Sequence, residues 1–80
     1  MDATTLALML RSDAGFRRAA MDDADTVIAR LALDVGLLAE AGRLMALGRW
    51  HASPAGRQGH AALFALVAAA HRRTDTGAPR

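Results

Sequence analysis

The chain has 80 residues, enough for one domain with a modest core and a thin margin of stability. It has no Cys, which excludes disulfides, thiolate metal sites and a Cys nucleophile. All ten basic residues are Arg, and a formal net charge of +2 is too small by itself to imply a nucleic-acid partner.

Much of the 52% hydrophobic fraction is Ala, so the expected core is Leu, Val and Met. The opening Met1-Asp2 has no basic stretch of the kind that starts a secretory signal. The longest uncharged apolar run, Ala61–Ala70, is about half of the roughly 20 residues that cross a bilayer. A cytoplasmic protein with no membrane partner is the expectation.

Taken in order, Thr4 or Thr5 can cap a first helix bearing Leu6, Met9 and Leu10 on one side. Extending it would put Asp13 and Arg17 in the middle of that apolar face. A break near Arg11, Ser12 and Asp13 avoids this, with Ser12 as N-cap of a second short helix holding Phe16, Ala19 and Ala20. One bent helix over 3–21 is the alternative.

The longest segment with a single apolar period follows. Ile28, Leu31, Val35, Leu38 and Met45 fall at three- and four-residue steps, and Asp22, Asp23 and Asp25 crowd the start, where carboxylates cap free N–H groups. Gly42 occupies a stripe position without a side chain to bury and reads as a helix stop. These features predict one helix over Asp23–Ala41, around which the rest of the chain is organised. Its outward face carries Thr26, Ala29, Arg30, Leu33, Leu37 and Glu40.

Gly48 then divides two short segments, Leu44–Leu47 and Arg49–Ala52. They fit a small β-hairpin turning at Gly48, or a long helix that resumes to Leu47, which Met45 in register with Leu38 favours. Ser53-Pro54 marks the start of a last helix, with Ser as cap and Pro at the first helical position. That helix should reach about Arg73, with His60, Leu63, Val67 and Ala70 inward and Phe64 and Leu66 flanking. The resulting division is one mainly helical domain over 1–73 and a tail over 74–80 without periodicity.

The chemistry-bearing residues are sparse. His60 and His71 are eleven apart on nearly one face, roughly 16 Å along a helix, too far to share a metal. The acids cluster as caps and lack the further ligands of a Ca²⁺ loop. Ser12, Ser53 and the threonines have no His/Asp pairing, and no phosphate-cradling glycine loop is present. No catalytic residue, metal or cofactor is expected, and the chain reads as non-enzymatic.

One run is more specific. Leu38 to Gly42 and Leu44, then Gly48-Arg49-Trp50, then Ser53-Pro54-Ala55-Gly56-Arg57, resembles the wing region of winged helix-turn-helix regulators. Such proteins close a recognition helix on a leucine and a glycine. A basic hairpin with an aromatic follows, and the next helix opens on Ser/Thr-Pro-x-Gly-Arg. Gly56 is the informative residue, since capping accounts for Ser53 and Pro54 only. The resemblance covers about twenty residues, a quarter of the chain. It implies a mainly α, winged-helix-like domain acting as a small transcriptional regulator on double-stranded DNA. Arg30 would read bases, Arg43, Arg49 and Arg57 would contact phosphates, and Trp50 would pack the wing or touch the backbone.

The alternative is a plain all-α helical bundle serving as a protein-interaction module: an adaptor, an inhibitor or a small subunit of a larger complex. Leu33, Leu37 and Leu44 would then be contact residues. Ala61, Ala65, Ala68 and Ala69 leave the far side of the last helix almost without charge, which suggests a homodimer formed there.

Overall fold

The structure, a computed structural model, describes residues 1–77. It contains α1 (Ala3–Ser12), α2 (Ala14–Asp22), α3 (Ala24–Leu31), α4 (Val35–Leu47), a 3-10 turn (Trp50–Ala52) and α5 (Pro54–Gly77). No strand occurs among the described residues, so the chain is a mainly helical bundle.

Each of the first four helices opens on an aspartate. Asp2, Asp13, Asp23 and Asp34 accept the backbone N–H three residues on, from Thr5 (2.7 Å), Phe16 (3.0 Å), Thr26 (3.3 Å) and Leu37 (2.7 Å). The break expected near Ser12 is present, but the cap is Asp13 and not Ser12, just as Asp2 caps α1 in place of Thr4 or Thr5. An aspartate carboxylate brings a full negative charge where serine or threonine brings a neutral hydroxyl, so it meets both the free N–H and the positive end of the helix dipole. The Thr26 hydroxyl and backbone N–H hold the Asp23 carboxyl below the usual carboxylate range, and the Thr5 backbone N–H does the same for Asp2.

The single helix expected over Asp23–Ala41 is in fact two. Ala32 adopts a left-handed conformation (φ 52°, ψ 46°) and closes α3, and Asp34 opens α4. The reversal drops Leu33 into the core at 4% exposure and lets its N–H reach the Ile28 carbonyl (3.1 Å). Burial of Leu33 and the Asp34 cap together offset the cost of a left-handed alanine, about 1–2 kcal/mol. Gly42 is not a stop. It lies inside α4, where an added Cβ would sit 3.2 Å from the Leu63 side chain, and the helix ends at Gly48 instead. Arg43–Leu47 is therefore helix, as the alternative of a helix resuming to Leu47 has it, and Trp50–Ala52 is a 3-10 turn in place of the wing hairpin.

The organising element is α5. It packs against α1, α2, α3, α4 and the 3-10 turn. The core is Leu6, Leu10, Leu38, Met45 and Leu66, all fully buried, with Ile28, Leu33 and Leu63 around them. Ser53 caps α5, its hydroxyl accepting the Gly56 N–H (3.1 Å). The inward face of α5 is Gly56, Gly59, Ala62, Leu63, Leu66, Ala69 and Ala70, rotated from the expected stripe. His60 and Val67 fall to its edge, Phe64 is 68% exposed, and Ala69 lies inside although it was placed on the outer face. The rotation follows from two glycines: α1 and the 3-10 turn cross α5 where Gly59 and Gly56 permit it. The helix continues through Gly77, so the first part of the expected tail is helical, and residues 78–80 lie outside the described residues.

The break between α3 and α4 has a direct test. Ala32→Gly removes about 1–2 kcal/mol of left-handed strain and adds about 0.5–1 kcal/mol of backbone entropy cost. Denaturant unfolding should show it neutral to about 1 kcal/mol more stable. A loss of stability would mean that the helix is continuous there.

Candidate nucleic-acid interface

Four helix ends meet at one end of the bundle. The α1 carbonyl of Leu10 lies against Gly59 of α5, and a Cβ at 59 would be 2.8 Å from it. Arg17 of α2 donates to the carbonyls of Leu10 (3.1 Å) and Arg11 (2.7 Å) and to the Gln58 side chain (3.2 Å). One guanidinium thus satisfies the free carbonyls that end α1 and ties α1 and α2 to α5. The 3-10 turn joins the end of α4 to the start of α5 and packs on both.

Trp50 is the centre of this end. Its indole lies over Gly48, whose missing side chain leaves the space, and its main chain lies over Gly56, where any Cβ would collide with the Trp50 carbonyl oxygen. The ring is half-buried against the core. Arg11 stacks on it, guanidinium carbon 5.1 Å from the ring centroid, in cation–π geometry. Arg57 donates to the His51 carbonyl (3.2 Å). Arg49 precedes Trp50 in a left-handed conformation (φ 56°), its side chain exposed.

Arginines occur along the whole bundle, with Arg30, Arg72 and Arg73 towards the far end. Arg11, Arg17, Arg43, Arg49 and Arg57 lie at or near the Trp50 end. The nearby acids are Asp13, which caps α2, Glu40, which pairs with Arg43 at 2.6 Å, and Asp22, which lines a groove with Arg17 and Gln58. Asp23, Asp25 and Asp34 lie towards the other end, where Asp25 is 3.9 Å from Arg72 and Asp34 lines a groove with Arg73. The exposed Arg43–Glu40 pair is screened by water and holds Arg43 only loosely.

The residues singled out in the sequence therefore divide. Arg49, Trp50 and Arg57 lie at the 3-10 turn, and Arg43 lies one turn before the end of α4, paired with Glu40. Arg30 sits in the last turn of α3, away from this end. Leu33 is core, whereas Leu37 and Leu44 are half-buried on α4. Ala61 and Ala68 are exposed and Ala65 half-buried on the outer side of α5, around Phe64, whose ring lies 5.9 Å from that of His60. Arg11 was missed. The signal was its place in the last turn of α1, but no spacing rule links residue 11 to residue 50. Among the described residues no group of His, Asp or Glu converges as metal ligands do, and no helix is long and apolar enough to cross a membrane.

Gly56 is what seats the tryptophan. Gly56→Ala should destabilise by about 1–3 kcal/mol or more, because the obstructing atoms are backbone. Denaturant unfolding followed by the emission of Trp50, the single tryptophan of the chain, measures both the loss and any change in the environment of the ring. A variant as stable as the parent would show that the turn does not rest on α5 at this point.

The chain matches no protein-family model, and no curated protein and no solved structure matches it significantly.

Proposed function

We propose that this is a small non-enzymatic DNA-binding protein of the regulator type, which holds duplex DNA by its phosphate backbone. The observation that carries the reading is the arginine cluster around Trp50 at one end of a bundle whose acids lie mostly elsewhere. Guanidinium groups match phosphate oxygens in geometry and charge, and the backbone term dominates most protein–DNA affinity. Arg43, Arg49 and Arg57 are the phosphate ligands. The exposed face of α4 is Gly36, Ala39, Arg43, Ala46 and Leu47, with Glu40 at its edge. It offers few base-edge donors, so binding on this reading is largely independent of sequence. A wing has no part in it, because the residues that would form one are helix and 3-10 turn.

The test is titration of a short labelled duplex over a range of salt. Log affinity should fall linearly with log salt, and Arg57→Gln should reduce that slope by about one. Glu40→Gln should tighten binding, since it frees Arg43. Absence of duplex binding at low salt removes the proposal.

One observation favours a second reading, a helical protein-interaction module that forms a homodimer. Phe64 is 68% exposed on the outer face of α5, between the exposed Ala61 and Ala68, so a large apolar ring stands on a side with small neighbours. A second copy laid along α5 would cover it. Sedimentation should then show a dimer that Phe64→Glu converts to monomer. A parent protein that is monomeric at high concentration removes this reading and leaves the first intact.

A further inference from the structure

The Arg11–Trp50 pair lies at the surface edge of the core, where Trp50 is half-buried. The Arg11 side chain is exposed, and its guanidinium carbon sits over the indole, 5.1 Å from the ring centroid. Its own backbone is also held, because the Arg11 carbonyl accepts Arg17 Nη1 at 2.7 Å. Among the described residues no carboxylate lies within ion-pair distance of Arg11, and its side chain makes no hydrogen bond. The five donors of a guanidinium lie in its plane. Contact with a ring uses no hydrogen-bond donor, so the donors of Arg11 remain available to a ligand. Arg49 is adjacent to the same indole in sequence, and Arg57 is fastened to the next residue, His51.

Resting on the DNA-binding reading above, we infer that Arg11 is a pre-positioned fork for one phosphodiester of the DNA backbone, with Trp50 as the positioning residue that holds the guanidinium in place. Positioning before binding matters because a free arginine loses rotamer entropy on docking, whereas this one has already lost part of it. Trp50 then works underneath the guanidinium and touches no nucleotide. The ligand is a phosphate oxygen pair, since the planar fork matches it bidentately where an ammonium meets it as a point charge.

Arg11→Lys separates this inference from the reading it rests on. Lysine keeps the charge and loses both the fork and the stack. Fluorescence anisotropy of a fluorescein-labelled duplex of mixed sequence, titrated with parent, Arg11→Lys, Arg11→Met and Trp50→Leu proteins, gives affinity and salt slope for each. The expected result is a several-fold weaker Arg11→Lys protein with the parental slope. Arg11→Met should be weaker still, with a slope lower by about one. Trp50→Leu should be weaker with the parental slope, as no charge is removed. Arg11 is exposed, so its variants report even where Trp50→Leu fails to fold. An Arg11→Lys protein that binds like the parent overturns the inference while DNA binding stands. A parent protein that binds no duplex overturns both.

Discussion

The close crossing of α5 by its neighbours is the constraint on which the rest depends. Gly56 and Gly59 lie one turn apart on the buried side of α5, and backbone from the 3-10 turn and from α1 occupies the space where their side chains would be. Backbone-to-backbone approach of this kind fixes distance more strictly than side-chain packing, because neither partner has a rotamer to adjust. It sets the rotation of α5, and with it which alanines are buried and why Phe64 points outward. It also brings the C-terminus of α1 to the 3-10 turn, which is what lets a residue near position 11 meet a residue near position 50.

From that crossing the electrostatics of the candidate site follow. Arg17 can fasten the end of α1 only because Gln58 and the Leu10 carbonyl lie side by side. Arg11 can stack on Trp50 only because the indole is seated over Gly48. The arginines here come from α1, α2, α4, the turn and α5, and the packing of the helix ends is what sets them towards one end of the bundle.

Several parts of this were legible in the residues alone. The Ser53-Pro54 start, the break near Arg11, Ser12 and Asp13 (though not its cap) and the buried Leu38 and Met45 all rest on local rules of capping and period, which act over a few residues. The α3–α4 break was hidden for a local reason too. Ile28, Leu31, Val35 and Leu38 keep a helical period across a turn, and the left-handed residue is an alanine where glycine would have signalled it. Gly42 misled in the opposite direction, since its use is room for Leu63 on another helix. The candidate site was half legible: Arg43, Arg49, Trp50 and Arg57 are close in sequence, whereas Arg11 joins them through a tertiary crossing that no spacing rule encodes. The fold's true centre was missed because five of the seven residues on the buried face of α5 are Ala or Gly, which carry little hydropathy.

The position of that centre has a consequence for how the chain is made. Of the described elements, α5 leaves the ribosome last, and synthesis proceeds at about 5–20 residues per second. Until it emerges, α1 can pack against α4 and α2 against its neighbours, but the faces that α5 covers on all four helices remain open to solvent. The nascent α1–α4 segment is therefore a partly packed set of short, individually marginal helices for several seconds. Strong aspartate caps at the head of each one bias those helices towards forming early, so that α5 meets elements already started and not a featureless coil.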